Sequence, residues 1–319
     1  MSSSDRALVQ RLTIALAALF LGTLAWSRLQ LLYGEKFFEV TQSGKAQWIW
    51  MKHRLADGDP VAFYATRDFD LPPNRNFTHL KVLGDPEYSV YFNGVEVGGR
   101  RVGEDSSLDV YDVTALARDK DNRLVVALRS PNGVGGFIAS IDLAPDFLNH
   151  VFTNRDWHIV THWRPDILVS DNAPTFRPMM LGRPPALRWN YLSRRDVAVM
   201  TPPQAVLQPR ESFSFRTALQ EIEVVDGVAV AGTKPTDATA YDFGVGTHGR
   251  LRLTVPRASG GPRVVNVRFH TERADLFAVE GAVVPFVFAA GETSIVDPQT
   301  REFRYAEIFG TQVKAEVVQ

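Results

Sequence analysis

The chain has 319 residues, 45% of them hydrophobic and 22% charged, which is enough apolar material for about two folded units and excludes disorder and collagen-like structure. With 35 basic against 36 acidic side chains the net charge is −1, so the bulk electrostatics do not favour wrapping nucleic acid. The absence of cysteine removes disulfides, thiolate zinc sites, iron–sulfur clusters, covalent haem attachment and a lipoprotein-type anchor.

The first element in the chain is also the clearest. Between Arg11 and Arg28 no residue is charged, and residues 12–27 are almost wholly apolar. As a helix that run covers about 24 Å, slightly short of a bilayer core. If Arg28 snorkels, the apolar character continues through Leu29, Leu31 and Leu32 to Tyr33. Residues 1–34 therefore read as a transmembrane anchor presenting Leu12, Leu16, Leu19, Phe20, Leu24 and Trp26 to lipid, with Trp26 and Tyr33 at the interface. The competing reading is a cleaved signal peptide, with Arg6 and Arg11 as its basic region and Thr23-Leu-Ala25 as a small-x-small cleavage site. Against it, Trp26 and Arg28 make a poor start for a mature chain. The flanking charges are too balanced to fix orientation. The expectation is a single pass through a bacterial inner membrane, with the bulk of the chain in the periplasm or outside.

Residues 35–45 read as a polar stalk. Beyond it, short alternating runs broken by Gly, Pro, Asn and Asp give an all-β signature. Residues 61–69, 78–83, 88–92 and 123–128 are predicted strands, Asn93-Gly94 is a hairpin turn, and a short turn or helix is expected at residues 115–118. A second strand-rich block offers residues 221–230, 240–243, 250–255, 263–270, 283–288 and 304–308. Between the blocks lies a Trp-, Arg- and Pro-rich stretch too apolar for a loose linker, read as a connector packed across the interface of two sandwiches with one or two short strands of its own. The expected fold is two jelly-roll-like β-sandwiches, residues 46–145 and 201–319, joined by the connector at 146–200 and preceded by one transmembrane helix.

Several segments, in order, resemble the accessory β-domains of bacterial α-L-rhamnosidases, which also resemble sugar-binding domains of many glycoside hydrolases. They are Ala46-Gln-Trp-Ile-Trp50, Phe63-Tyr-Ala-Thr-Arg-Asp-Phe-Asp-Leu-Pro72, Tyr88-Ser-Val-Tyr-Phe-Asn-Gly-Val-Glu-Val-Gly98, and Val110-Tyr-Asp-Val-Thr114 followed by Asn122-Arg-Leu-Val-Val-Ala-Leu128. Tyr241-Asp-Phe-Gly244, Gly249-Arg-Leu-Arg-Leu253 and Phe303-Arg-Tyr-Ala-Glu-Ile308 resemble the second β-domain of those enzymes. The resemblance covers about two thirds of the chain and implies galactose-binding-like jelly rolls acting outside the cytoplasm. The family's catalytic carboxylates lie on a helical barrel that follows the second β-domain, so no catalytic residue carries over onto these positions.

The remaining chemistry-bearing patterns are weaker. Gly244-Val-Gly-Thr-His-Gly249 matches a dinucleotide fingerprint, but a strand pattern follows it where a phosphate site needs a helix N-terminus. Asp242-Phe-Gly244 lacks the partner motifs of a kinase. His158 and His162 share a face in either helix or strand, with His150 or Asp156 as a third metal ligand, but histidines between Trp157 and Trp163 more often serve packing. The nearby carboxylate pairs Asp109/Asp112, Glu104/Asp105 and Asp57/Asp59 occupy turn-like stretches where Asp serves the backbone. No catalytic, cofactor or metal residue is assigned. Trp48, Trp50 and Tyr91 are candidate sugar platforms. Trp157, Trp163, Arg164, Arg188, Trp189 and Tyr191 form the candidate protein interface, because Trp and Arg dominate docking surfaces. The expected role is a non-catalytic, membrane-anchored accessory or scaffold subunit of a larger membrane complex, a respiratory or photosynthetic assembly being one setting. A tethered carbohydrate-binding module is the alternative, and the expected partners are lipid, other subunits and a glycan, not nucleic acid.

Overall fold

The computed structural model describes residues 11–29, 45–52, 58–103, 107–143, 149–170, 174–182, 194–225, 228–257, 260–277, 281–310 and 313–319. Helix α1, Arg11–Leu29, is 19 residues of uncovered apolar surface, long and apolar enough to cross a membrane. The Thr23 and Ser27 side chains bond back into the helix, Thr23 Oγ1 to the Phe20 carbonyl at 2.8 Å and Ser27 Oγ to the Leu24 carbonyl at 3.1 Å, so neither hydroxyl faces hydrocarbon unsatisfied.

The next strands are β1 (Trp48–Trp50), β2 (Val61–Phe69), β3 (His79–Asp85), β4 (Glu87–Phe92), β5 (Val95–Arg101), β6 (Leu108–Asp112), β7 (Asn122–Ser130), β8 (Gly136–Asp142), β9 (Asn149–Phe152), β10 (His158–Val160), β11 (Met179–Gly182) and β12 (Arg194–Val197). They form a sheet ordered β11-β1-β8-β3-β6-β12, with β9 also on β8, and a five-stranded sheet ordered β10-β2-β7-β4-β5. The two sheets share one core, in which Trp50 meets Phe63 edge-on at 4.8 Å and Phe137 meets Trp157 at 5.3 Å. The Asn93-Gly94 turn has φ of 51° and 83°, the pair of positive angles that lets a two-residue hairpin follow the strand twist. Asn93 also secures the turn, its Nδ2 donating to the Leu116 carbonyl and its Oδ1 accepting from the Arg123 amide.

The stretch between the blocks departs from expectation. It holds four strands, β9 to β12, and each completes a sheet of the first sandwich: β9 on β8, β10 on β2, β11 on β1, and β12 parallel to β6. Each is only three or four residues long, too short for its alternation to stand out among the prolines and arginines.

The last eight strands are β13 (Val206–Leu207), β14 (Glu211–Val225), β15 (Val228–Thr254), β16 (Arg263–His270), β17 (Val283–Phe288), β18 (Ser294–Val296), β19 (Arg301–Phe309) and β20 (Lys314–Val318). Here β15 organises everything. Its register against β19 skips between Asp242 and Thr247, where Gly244 and Gly246 take φ of 98° and 69°. Before the skip β15 pairs with β14 and β19; after it, with β19 again from Thr247 to Gly249 and then with β18 and β20. The bent sheet closes around Leu251, Phe286, Phe288, Phe303 and Val317. Two sequence expectations are corrected. Residues 240–243 and 250–255 belong largely to one bent strand, not two. Residues 221–230 are not one strand, because β14 ends at Val225 and β15 begins at Val228, its register partner.

Candidate functional site

Where the first sandwich meets the bent sheet, the facing strands are lined with charge. Arg129 on β7 donates to both carboxylate oxygens of Glu292, at 2.8 and 2.9 Å, and to the Val287 carbonyl at 2.9 Å. The Tyr64 hydroxyl donates to Glu292 at 2.7 Å, and so does the Ala289 amide at 2.8 Å. Arg101 on β5 reaches Glu87 at 3.0 Å, Asp297 at 3.4 Å and the Pro285 carbonyl at 2.8 Å, while Arg250 on β15 pairs with Glu96 on β5 at 2.7 Å. Burial opposes the Arg129 charge, but Glu292, Tyr64 and Glu87 outweigh it and hold the guanidinium protonated. Burial, followed by the Glu292 charge, pushes the Tyr64 hydroxyl well up. Burial also raises the Glu87 carboxyl, against the pull of Arg101 and Arg129.

The same commitment of charge extends through the described residues. The buried carboxylates are Glu87, Asp109, Asp142, Asp242, Glu292, Asp297, Glu307 and Glu316. Each has a cationic partner. Asp109 takes Arg195 at 2.8 Å and Arg100 at 3.1 Å, and also accepts from the Tyr88 hydroxyl. Asp142 pairs with Lys81. Asp297 pairs with Arg301 at 2.9 Å, Glu307 with His270 at 2.8 Å and Arg268 at 3.3 Å, and Glu316 with Lys314 at 2.5 Å.

Asp242, beside the β15 bend, makes a prediction of its own. Hydrogen bonds from Arg304, at 3.1 and 2.8 Å, are the main cause holding its carboxyl below the ordinary 3.8, with the Gly244 amide assisting against burial. A depressed carboxylate contributes stability that is fully present above 3.8 and is lost as pH falls through the depressed value. Asp242→Asn is expected to lower the melting temperature at neutral pH and to flatten its fall in acid below that point, as read by a thermal-melt series across pH.

The sequence candidates fall in three groups. Trp48 and Trp50 are buried core residues, Trp50 being 1% exposed with its indole N–H on the Gly133 carbonyl at 3.0 Å; neither offers a ring to solvent. Tyr91 is half-buried, and burial followed by Glu96 raises its hydroxyl. Trp157 lies wholly inside the first core, its indole N–H on the Phe152 carbonyl, so it is a packing residue and not a docking one. Trp163 is half-buried at the junction, 5.5 Å from the Tyr64 ring and with its amide on the Ala290 carbonyl at 2.8 Å. Arg164 pairs with Asp166 at 3.2 Å. Arg188, Trp189 and Tyr191 lie outside the described residues, as do Glu104, Asp105 and Asp57. Leu12, Leu16, Leu19, Phe20, Leu24 and Trp26 are all exposed on α1.

Asp109 and Asp112 do not converge. The first is buried among arginines, and the second is exposed and accepts from the Thr114 hydroxyl at 2.5 Å and the Thr114 amide at 3.0 Å, which together lower its carboxyl. Among the described residues no three His, Asp or Glu side chains gather to hold a metal. Gly244 to Gly249 forms the β15 bend and opens no helix.

The structure adds a groove that sequence reasoning missed. Two adjoining concavities, each about 460 Å³, share Met51 and Thr161. One runs past Asp59, His162, Gly260 and Ala290 between the sandwiches; the other past Lys52, Phe176 and Arg177. Phe176 is 60% exposed, yet its backbone is fixed by two hydrogen bonds to Ile159, at 2.8 and 2.9 Å. The one hint in the sequence is that Thr175-Phe-Arg177 stands between Pro174 and Pro178, which stiffen the chain around an aromatic residue.

No protein-family model matches the chain, and no curated protein does. Solved structures do match. The GH78 family rhamnosidase of Bacillus sp. GL1 aligns over 86% of this chain and 55% of its own, at 12% identity and a TM-score of 0.53. The α-L-rhamnosidase from Aspergillus terreus aligns over 86% and 36%, at 13% identity and a TM-score of 0.51. The α-L-rhamnosidase from Dictyoglumus thermophilum aligns over 86% and 35%, at 17% identity and a TM-score of 0.47. The chain thus spans between about a third and just over half the length of these enzymes. At such identities the likeness is one of fold: the chain shares the β-sandwich portion of α-L-rhamnosidases that its sequence resembles, and its described residues include no helical barrel.

Proposed function

We propose that the chain is a non-catalytic, membrane-tethered accessory subunit, holding two fused β-sandwich bodies on the outer side of a bacterial inner membrane as a scaffold in a larger protein assembly. The observation that carries this reading is the combination of a lipid-length apolar helix with a body in which each buried carboxylate among the described residues is tied to a cation. Glycosidic cleavage needs one carboxylic acid and one carboxylate facing a shared gap. Acids locked in ion pairs supply structure instead. Gentle detergent extraction followed by native separation is expected to recover the chain with a stoichiometric protein companion, and the purified chain is expected to leave aryl rhamnosides and galactosides intact. Recovery of the chain alone from native membranes, or turnover of either substrate, would defeat the proposal.

The second reading, a tethered carbohydrate-binding module, is favoured by the groove. An exposed, backbone-fixed Phe176 beside Arg177, Lys52 and Thr161 joins a flat apolar face to hydrogen-bonding groups, the pairing a pyranose ring needs. Calorimetric titration with rhamnose- and galactose-containing oligosaccharides tests it. Binding in the micromolar to millimolar range that Phe176→Ala abolishes without lowering the melting temperature would raise it above the first.

A further inference from the structure

Beyond the body, β14 and β15 continue as a two-stranded arm. The base is anchored, since Phe213 and Phe215 pack against Ala240, Leu276 and Tyr305. The pairing of β19 with β15 stops at Ala238 opposite Phe309, and Gly310 makes the last contact there, on the Asp237 carbonyl at 2.9 Å. From Arg216 opposite Asp237 to Val225 opposite Val228, β14 and β15 have only each other among the described residues. Those ten rungs extend roughly 30 Å. The side chains at the arm's root, Arg216 and Asp237, are 89% and 81% exposed. A two-stranded ribbon is marginal in water by itself, and one carrying Ile222, Val224, Val225, Val228 and Val230 is not built to stand alone.

The two edges of the arm differ. The β14 edge carries Glu221 and Glu223, charges of the kind that deter pairing. On β15, Lys234 and Pro235 close the edge near the root in the same way. Between them and the tip, Val228-Ala-Val-Ala-Gly-Thr233 has neither charge nor proline. Among the described residues no strand pairs with this edge, which is six residues long.

That edge is complementary to itself. Laid antiparallel against a second copy about a two-fold axis at Val230, Val228 meets Gly232, Ala229 meets Ala231 and Val230 meets its own copy, with no like charges opposed and a small residue in two of the three distinct pairs. The contact would turn two marginal ribbons into one four-stranded sheet, and a two-fold contact closes on itself without growing into a fibre. We propose that the open β15 edge, residues 228–233, pairs with the same edge of a second copy, so that the chain assembles as an arm-to-arm dimer. This goes beyond the scaffold reading and stands whether or not a different protein is bound.

The test is the mass of the full-length protein in mild detergent, by analytical ultracentrifugation with the detergent contribution matched out. Wild type is expected at twice the chain mass. Val230→Lys and Val230→Glu alone are each expected at the chain mass, because each places like charges together across the two-fold axis. Mixing the two variants is expected to restore the doubled mass. A variant in which residues 218–235 are replaced by Asn-Gly removes the edge while keeping the rooted pairs Arg216–Asp237 and Thr217–Thr236. It is expected to be monomeric with an unchanged melting temperature. A monomeric wild type would overturn the proposal, and so would a dimer that survives the shortened arm, which would place the contact on α1 or elsewhere. Loss of a protein companion with dimerisation intact would count against the scaffold reading alone.

Discussion

Glu292→Gln is expected to cost about 3–5 kcal/mol, the usual penalty for stripping one partner from a buried ion pair. The Arg129 guanidinium would stay inside the junction, 7% exposed, without the carboxylate that receives two of its hydrogen bonds, and the Tyr64 hydroxyl would lose the charge it donates to. Because this network ties β2 and β7 of the first sandwich to the segment before β18, the loss should fall on the seam. Urea unfolding followed by near-ultraviolet circular dichroism is expected to change from one transition to two. The triple change Arg129→Met, Glu292→Leu and Tyr64→Phe removes all three polar groups together, and is expected to recover most of the loss. A single transition with unchanged midpoint in Glu292→Gln would show that apolar contact, not this charge network, holds the two bodies together.

Trp50→Ala is expected to cost about 3–5 kcal/mol as well, by a different mechanism, since it empties a large volume in a core that closes around it. The indole N–H would no longer meet the Gly133 carbonyl, and the Phe63 ring would lose its edge-on neighbour. Gly135 shows how tight the fit is: a Cβ there would lie 2.6 Å from the Trp50 ring. Trp50→Phe, which keeps an aromatic ring in the site, is expected to lose less. If Trp50 served as a sugar platform, Trp50→Ala would abolish glycan binding at unchanged melting temperature. The expected result is the reverse, a large drop in melting temperature and no separable effect on any sugar titration.

These two residues also mark what can be read from the chain alone. Strand positions were legible wherever alternation ran unbroken: residues 61–69, 263–270 and 283–288 match β2, β16 and β17 end to end, and the Asn93-Gly94 turn announced itself. The apolar helix was legible because a charge-free run of that length stands out from everything that follows it in the chain. The purpose of Trp50 was not, because a tryptophan in a strand reads the same whether its face is inward or outward, and only the opposite sheet decides. The tip of the arm was passed over for a related reason. β14 ends at Val225 and β15 begins at Val228, and the apolar residues on both sides made the stretch look like one continuous strand. The junction network joins residues 64, 87, 101, 129, 292 and 297, and the groove joins residues near 52, 60, 161, 176 and 261. Such sites exist only after folding has gathered remote segments, and no local pattern foretells them.

The 27-residue span of β15 has a mechanical consequence. It is one uninterrupted backbone from the far end of the arm, through the bend at Gly244 and Gly246, into the layer that β20 completes. A load applied at the tip along the strand would therefore reach the body as shear, shared among the rungs of β19 and β20 at once instead of unzipping them singly. Anything that grips the arm would therefore pull on the whole bent sheet at once, and not on one pair of strands.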